Sequence, residues 1–304
     1  MHDEKTGINK CFLCPRNCGA DRTQKKEYGK CHVSDTVRIA RAALHMWEEP
    51  CISGEEGSGT VFFSGCSLGC VFCQNRDISG GKTGKDISVQ RLSEVFLELQ
   101  EKNANNINLV TPGHYVPQIV TALKLAKENG LSIPVVYNTG SYEKPGTLRM
   151  LEGFVDIYLP DFKYMNEELA KRYSNASNYA KYAKNAIAEM VRQVGSAEFD
   201  DRGMMKKGII VRHLVLPGNI EDSKNILKYL YETYKDSIFV SIMNQYTPMP
   251  GVEELYPELG RKVTEEEYDE VVNYAIDLGI ENGFIQEGET AQESFIPPFD
   301  LEGV

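Results

Sequence analysis

The sequence GCSLGCVFCQN, from Gly65 to Asn75, decides which fold is predicted for this chain. It directly follows the β-branched and aromatic run TVFFS at residues 60–64, which predicts a buried strand. Gly65 and Gly69 allow tight curvature, so that three cysteines share one loop at the end of that strand. Three thiolates can bind three irons of a four-iron cluster and leave the fourth iron without a protein ligand. The C-x3-C-x2-C spacing therefore predicts a [4Fe-4S] cluster on Cys66, Cys70 and Cys73.

From Thr60 onward, short β-branched runs alternate with longer amphipathic stretches, which is typical of parallel βα units. The predicted strands are residues 60–64, 106–110, 133–137, 155–159, 209–215 and 238–243. The predicted helices are residues 88–102, 116–129, 179–194, 222–234 and 264–278. Six such units predict an α/β fold, a partial (β/α)6 barrel that is open on one side and carries a small cysteine-rich N-terminal segment. Catalytic side chains are then expected on the loops at the carboxyl ends of the strands.

The charge and hydropathy of the chain exclude two classes of partner. Asp and Glu number 44 against 33 Lys and Arg, and the formal charge of −11 would repel a nucleic-acid backbone. No stretch of about 18 uncharged apolar residues is present, so neither a membrane-spanning segment nor a membrane partner is predicted. The first residues, MHDEKTGINK, lack the apolar run of a secretory signal, so we expect a cytoplasmic protein with reduced cysteines.

A second group of cysteines lies near the N-terminus with the spacing C-x2-C-x3-C-x12-C. The segment around it is rich in Lys, Arg and Gly and has too few apolar residues for a core of its own, so a metal is the expected organiser. Four thiolates suit either tetrahedral zinc or a second iron-sulfur cluster, and the spacing does not decide between them. The predicted ligands are Cys11, Cys14, Cys18 and Cys31. The remaining cysteine, Cys51, is expected to be a small buried apolar residue.

The cysteine loop resembles the defining motif of the radical S-adenosylmethionine (radical SAM) superfamily. The resemblance implies that the amino and carboxylate groups of SAM chelate the open iron, and that an electron from the reduced cluster breaks the sulfonium bond to C5′. The product is a 5′-deoxyadenosyl radical that abstracts a hydrogen atom from the substrate, while the protein binds and orients the reactants. By the same resemblance, Phe72 would lie beside the adenine; the alternative is a core aromatic residue.

Two further stretches are similar to the pyruvate formate-lyase activating enzymes of that superfamily. Residues 155–177, VDIYLPDFKYMNEELAKRYSNAS, are similar to their fourth strand and the following helix, which implies that Asp161 and Lys163 lie near the methionyl part of the cofactor. A structural ion pair is the alternative for these two residues. Residues 211–223, VRHLVLPGNIEDS, match the fifth strand and its turn, so Arg212 takes the place of an arginine that contacts the cofactor. The alternative is that Arg212 is an ordinary arginine of the barrel without a cofactor contact.

One motif of the activating enzymes is missing from this chain. Those enzymes carry Gly-Gly-Glu-Pro after the second strand, where the glutamate and backbone groups hold the amino group of the cofactor, and this chain has Thr111-Pro112-Gly113-His114. Without an acid in this loop we expect the charge pairing to be lost, although the Thr111 hydroxyl and Gly113 can do similar work. Five further residues that follow the second strand or other strands are candidate cofactor contacts, and each is equally well explained as a cap or turn residue. They are His114, Asn138, Thr139, Gln245 and Tyr246.

Nearly the whole chain resembles homologues of pyruvate formate-lyase activating enzyme, which divides it into a metal-binding segment at residues 1–55 and a radical SAM partial barrel at residues 56–304. The resemblance implies an oxidoreductase that takes hydrogen from a protein or peptide, with a glycine Cα as one target, and a reductant such as flavodoxin or ferredoxin. Two alternatives stay open. One is a radical SAM enzyme that acts on a small molecule; the other is a non-catalytic iron-sulfur electron carrier or zinc-organised binding protein.

Overall fold

A mostly parallel β-sheet forms the centre of the protein in this computed structural model, which describes residues 9–23, 29–286 and 296–304. Strands β2, β4, β5, β6, β8, β9 and β10 run parallel to one another, whereas β1, β3 and β7 pair antiparallel with their neighbours. Within the described residues the strands are β1 (Val37–His45), β2 (Ser58–Phe63), β3 (Lys85–Ile87), β4 (Ile107–Val110), β5 (Val135–Thr139), β6 (Ile157–Pro160), β7 (Glu198–Phe199), β8 (Met205–Leu214), β9 (Phe239–Met243) and β10 (Gly283–Ile285).

The sheet forms a barrel that is not closed. Its strand order is β10-β9-β8-β6-β5-β4-β2-β1-β3, with β7 attached to β8, and the end strands β3 and β10 are not paired with each other in the described chain. The predicted partial α/β barrel is therefore confirmed, and all six predicted strands are present. The short strand β10 was not predicted, because three residues, GFI, carry no usable period. β8 begins earlier than predicted because β7 pairs with its first residues.

Helices cover the outer face of the sheet. All five predicted helices are present, and Ser88 caps the first of them by accepting a hydrogen bond from the Arg91 amide. The last helix begins with a capping box of Thr264 and Glu267 and ends at Gly279, which adopts the left-handed conformation. The helices of the described residues are α1 (Pro50–Ser53), α2 (Arg76–Ser79), α3 (Val89–Glu101), α4 (Val116–Glu128), α5 (Pro145–Leu148), α6 (Glu167–Ser174), α7 (Tyr179–Val194), α8 (Ile220–Tyr234) and α9 (Glu265–Leu278).

The one-turn helix α1 occupies the floor of the barrel. Because β1 is antiparallel to β2, it ends beside the first residues of the parallel strands, and α1 follows there. Side-chain amides at the start of β4 hold it in place: Asn105 donates to the Ser53 carbonyl and Asn106 to the Ile52 carbonyl, both at 2.7 Å. The residues just before α1 therefore enter the barrel from the end opposite the cysteine loop.

The two ends of the described chain pack against the barrel. Residues 296–304 lie along β1, where Leu301 donates to the Ala40 carbonyl (3.1 Å) and the Glu302 carbonyl accepts from Ala42 (2.8 Å). Strand β1 lies within residues 1–55 but pairs with β2 in the barrel sheet; the division of the chain at residue 55 stays a prediction. None of the helices in the described ranges is long and apolar enough to cross a membrane.

Candidate active site at the carboxyl ends of the strands

A cavity of about 530 Å³ lies where the parallel strands end. One wall is the cysteine loop after β2, and the floor is formed by residues that precede α1. All but one of the barrel residues predicted to bind the cluster or cofactor line this cavity. They are Cys66, Cys70, Phe72, Cys73, Thr111, Gly113, His114, Asn138, Thr139, Asp161, Lys163, Arg212 and Gln245.

The cysteine loop is held by the backbone of neighbouring elements. Gly65 has φ +91°, and a Cβ there would lie 2.5 Å from the carbonyl oxygen of Cys31, so only glycine fits this turn. The Gly65 amide donates to the Ile78 carbonyl (2.8 Å), and the Val71 amide donates to the Tyr173 carbonyl (2.9 Å) at the end of α6. These contacts fix the loop in the orientation that turns its three cysteines toward the cavity.

The thiols of the loop are free, and burial opposes the ionisation of Cys66 and Cys73. None of the eight cysteines forms a disulfide. Burial raises the pKa of Cys66, and it raises the pKa of Cys73 to about 12; the charges of the neighbouring cysteines add to both effects. The Ser174 hydroxyl hydrogen bonds to the Cys70 sulfur at 2.9 Å. Such a site favours thiolates only when positive charge arrives, as it does with bound metal.

Asp161, Lys163 and Arg212 form one ion-paired cluster beside the cysteine loop. The Lys163 ammonium lies 2.7 Å from Oδ2 of Asp161, and Arg212 Nε donates to Oδ1 of the same carboxylate at 2.9 Å. Arg212 also donates to Asn138 Oδ1 (2.6 Å) and Glu48 Oε2 (2.9 Å). The predicted residues Asp161, Lys163, Arg212 and Asn138 are thus brought into direct contact.

The charges in this cluster keep each of its members ionised. Burial raises the pKa of Asp161, but the charges of Lys163 and Arg212 outweigh it and hold that pKa below its usual value. For Lys163 burial lowers the pKa, and the charge of Asp161 outweighs it and raises the pKa above its usual value. Lys163 has three donors and uses one on Asp161, so a charged donor remains available to an anion in the cavity.

An acid does reach the loop after β4, although none is present in that loop. Glu143, in the loop after β5, is 3% exposed, and its carboxyl lies so close to Gly113 that a Cβ there would collide with both oxygens. The hydroxyls of Tyr137 and Thr139 donate to Oε1 (3.1 and 2.8 Å), whereas Oε2 has no hydrogen-bond partner among the described residues. Burial raises the pKa of Glu143 to about 7. The sequence analysis missed this residue because strand adjacency, which decides its position, is not encoded locally.

Two further acids, Glu48 and Glu49, lie on the floor of the cavity and were also missed. Both carboxyl oxygens of Glu48 accept hydrogen bonds: Oε1 from Asn108 and Asn138, and Oε2 from Arg212. Glu49 is 8% exposed, and its Oε2 has no partner in the described part of the chain. Burial raises the pKa of Glu49 against the opposing charge of Arg212. The only sequence signal was the dipeptide Glu48-Glu49 within the apolar WEEPCI, where a solvated acid pair is unexpected.

The remaining predicted contacts divide between the cavity wall and the core. Phe72 is buried and packs edge-on against Tyr164, Tyr173 and Tyr246, with ring centroids 6.2–6.3 Å apart. Tyr246 lies behind it in the core, donates to the Leu259 carbonyl (2.6 Å) and does not line the cavity in the described residues.

The two loop residues of uncertain role, His114 and Gln245, both line the cavity. His114 donates from Nε2 to the Ser64 carbonyl (2.8 Å); burial, aided by the charge of Arg22, lowers its pKa to about 3. Gln245 accepts a hydrogen bond from Gln74 at its backbone carbonyl (2.8 Å). The neutral His114 ring therefore links the loop after β4 to the end of β2.

The N-terminal cysteines lie next to the cysteine loop. Burial raises the pKa of Cys14 to about 12, with a contribution from Cys31, and the carbonyl of Cys31 contacts Gly65. In the described ranges no three His, Cys, Asp or Glu side chains form a group able to hold a single metal ion. Cys66, Cys70 and Cys73 need not converge in this way, because each thiolate of a cluster binds a different iron. The second metal site stays a prediction.

The sequence matches the Radical SAM superfamily over residues 60–230, which is more than half of the chain. An uncharacterised protein of Methanocaldococcus jannaschii is 28% identical over 278 residues, covering 89% of this chain and 75% of that protein. The pyruvate formate-lyase-activating enzyme of Clostridium pasteurianum is 23% identical over 177 residues, covering 55% of this chain and 66% of that enzyme.

Solved structures with a similar fold include SuiB of Streptococcus suis. Its complex with S-adenosylmethionine gives a TM-score of 0.51 at 13% identity and covers 74% of this chain and 48% of SuiB. Its complex with the precursor peptide SuiA gives a TM-score of 0.50 at 13% identity, covering 74% of this chain and 47% of SuiB. The chain thus spans about half the length of SuiB, and the likeness concerns the fold alone.

Proposed function

Because the chain belongs to the radical SAM superfamily, we propose that it cleaves SAM reductively at a [4Fe-4S] cluster on Cys66, Cys70 and Cys73 and takes a hydrogen atom from a protein or peptide. Membership of the superfamily implies both the cluster and SAM. The observation that carries the proposal is the cysteine loop itself. Its three free cysteines line a cavity that is also lined by the ion-paired side chains of Asp161 and Lys163.

The residues of the cavity fit both implied groups. Burial raises the pKa of the Cys66 and Cys73 thiols, so positive charge favours their ionisation, and a cluster provides that charge. Lys163 offers charged donors to a carboxylate, and the unpartnered Oε2 of Glu143 offers an acceptor to an ammonium group. When bound, the cluster and SAM supply a one-electron cleavage of the sulfonium that leaves a carbon radical for hydrogen abstraction.

The protein side chains have distinct tasks in this proposal. Asp161 keeps Lys163 charged and in place, so that Lys163 can bind the carboxylate of SAM. Arg212 uses three of its donors on Asp161, Asn138 and Glu48, so it mainly positions Asp161. Glu143 receives the ammonium group, in place of the acid that the loop after β4 lacks.

Anaerobic reconstitution with iron and sulfide, followed by dithionite and SAM, tests the central step. We expect 5′-deoxyadenosine from the wild type and only background from Cys73→Ala, because two thiolates do not retain the cluster in its open-site form. Cys51→Ala is the matched control, since Cys51 is a buried free thiol outside this cavity, and it should keep the activity. Product formation by Cys73→Ala at the wild-type rate would show that the cluster lies elsewhere.

The role of Glu143 can be tested by binding to the reconstituted, unreduced protein. Glu143→Gln should weaken SAM and decarboxylated SAM by about 10- to 100-fold, since a charged hydrogen bond is lost in a buried site. A desamino analogue, which lacks the ammonium group, should bind both proteins equally. Equal losses for all three ligands would mean that the substitution disturbs the cavity and that Glu143 does not contact the ammonium group.

A polypeptide substrate is supported by the similarity to the activating enzyme of Clostridium pasteurianum. The cavity also opens onto apolar side chains, among them Trp47, which is 56% exposed, and Ile285, which is 50% exposed. Peptides and proteins labelled with deuterium at glycine Cα provide the test, with deuterium measured in 5′-deoxyadenosine. Label transfer supports an activating-enzyme reaction, whereas transfer from small molecules only would contradict it.

A small-molecule substrate is the second candidate, and the cavity floor favours it. The carboxyl of Glu49 is buried and lines the cavity, which suits a narrow polar group of a small molecule. The non-catalytic electron carrier makes a different prediction: its cluster would show no spectroscopic change when SAM is added. A change in the electron paramagnetic resonance spectrum of the reduced cluster on adding SAM would contradict the carrier.

A further inference from the structure

The acids of the cavity outnumber its bases. Among the described residues, its charged lining consists of four carboxyl groups and two cationic groups. Arg212 pairs with Glu48, and Lys163 pairs with Asp161. Glu49 and Glu143 remain without an ion pair in the described chain, and each has one carboxyl oxygen with no hydrogen-bond partner. A buried acceptor without a donor costs about 1–3 kcal/mol, so each oxygen calls for a donor from a ligand.

These two acids lie in different parts of the cavity. Glu143 lies against Gly113, in the loop after β4. Glu49 precedes α1 at the barrel floor, where its carboxyl lies beside Ser241 of β9. SAM carries one ammonium group, which can satisfy only one of the two acids. The second acid is therefore available to the substrate.

We propose that Glu49 binds a primary ammonium group of the substrate, which enters the barrel with that group pointing to the floor. This inference rests on the proposed function, because it assigns the first acid to SAM. Oε2 of Glu49 has no hydrogen-bond partner in the described chain, and Ser241 lies beside the same carboxyl, so one oxygen is open to a donor from the substrate. A guanidinium fork prefers two free oxygens, whereas an ammonium group needs one, which favours the ammonium.

The surroundings of Glu49 suit a cation on an apolar stem. Phe284, Met243 and Pro50 line the cavity together with Glu49, so an alkyl chain would replace water along their surfaces. Trp47, two residues before Glu49, also lines the cavity and adds apolar surface. The substrate class is therefore an alkylamine, either free or as a lysine side chain of a polypeptide.

Binding of n-butylammonium to the reconstituted, SAM-loaded and unreduced protein tests the proposal. Isothermal titration should show that the wild type binds n-butylammonium at least tenfold more tightly than 1-butanol and more tightly than butylguanidinium. Glu49→Gln, which keeps the shape of the side chain, should lose the preference for the cation. Glu55→Gln removes an exposed acid outside the cavity and should keep it. Equal binding of n-butylammonium and 1-butanol by the wild type overturns the proposal and needs no variant.

The same titration separates this inference from the proposed function and identifies the source of the ammonium group. If SAM binds but the wild type shows no preference for the cation, the Glu49 inference fails alone; if SAM does not bind, the proposed function fails. The acetylated and amidated peptide Gly-Lys-Gly is compared with n-butylammonium in the wild type. Tighter binding of the peptide supports the proposal with a lysine side chain as ligand, and tighter binding of n-butylammonium supports it with a free amine.

Discussion

The two groups of cysteines lie side by side, yet the protein holds them in different ways. Cys66, Cys70 and Cys73 are on one loop that starts at the end of β2 and is hydrogen bonded to α2 and to the end of α6. The N-terminal cysteines are spread from Cys11 to Cys31 on a segment outside the parallel strands. Within the described residues, arginine and lysine side chains join the segment to the barrel.

The two groups therefore differ in what surrounds their thiols. The loop after β2 follows a strand whose neighbours carry the other polar residues of the cavity, so its thiols share the cavity with those residues. The N-terminal segment instead contributes side chains that hydrogen bond to the barrel. Arg16 donates to the Ser67 carbonyl (2.7 Å), the Leu68 carbonyl (3.1 Å) and the Ser174 carbonyl (2.8 Å), which ties the segment to the cysteine loop.

The largest expected effect comes from removing one group of cysteines while keeping the other. The variant with Cys66, Cys70 and Cys73 all changed to alanine should lose SAM cleavage entirely, because no open iron remains. It should still bind metal at the N-terminal cysteines, and analysis of iron, zinc and sulfide per chain measures this remainder. A metal-free variant protein would contradict the predicted second site, and the comparison would then be between one metal site and one structural segment.

The contact between the two groups should be sensitive to a single methyl group. Gly65→Ala places a Cβ against the Cys31 carbonyl at a positive φ, so we expect a loss of about 3 kcal/mol in the free energy of unfolding. Gly69→Ala is the matched control, because Gly69 also has a positive φ but has open space around it. It should lose only about 1–2 kcal/mol. Urea denaturation measures both, and equal losses would show that the contact with Cys31 contributes nothing.

Glu143 lines the cavity, and its charge also acts on Cys14 of the N-terminal segment. We expect it to make the stability of the protein depend on pH. Burial raises the pKa of Cys14, and the charge of Glu143 adds to this effect, while the pKa of Glu143 itself is raised to about 7. A raised acid pKa means that the folded state binds its proton more tightly, so stability falls as pH rises from about 4.5 to about 7. Glu143→Gln should therefore be more stable than the wild type at pH 8, by up to about 3 kcal/mol, and equally stable at pH 4.5.

The control for this prediction is the metal-free protein without SAM, measured by urea denaturation at both pH values. A difference between variant and wild type that does not change with pH would exclude titration of Glu143 as its cause. The prediction also implies a trade-off, because the same substitution is expected to weaken SAM binding.

The smallest expected effect concerns the hydrogen bonds by which Arg16 ties the N-terminal segment to the cysteine loop and α6. Arg16→Ala leaves several backbone carbonyls without their donor, and we expect a loss of about 2 kcal/mol in the free energy of unfolding. Arg16→Lys should recover less than half of the loss, because an ammonium group cannot span carbonyls of both the cysteine loop and α6. Thermal and urea unfolding measure the loss. A fully stable Arg16→Ala protein would show that the two regions are held together by other contacts.

Much of the fold could be predicted because its signals are local. The alternating apolar periods correctly predicted six of the parallel strands and five helices. Strands β1, β3, β7 and β10 were missed, since antiparallel edges and very short strands depend on pairing partners that are distant in sequence.

The sequence by itself determined the residue types that carry the chemistry: a cysteine spacing suited to an open-site cluster and the Asp161–Lys163 pair at a strand end. It also determined that the loop after β4 has no acid. Only the tertiary structure decided that Glu143 fills that position and that Glu49 enters from the floor. Both outcomes depend on which strands are neighbours and on the direction of β1, and these are set by sheet pairing over long sequence distances.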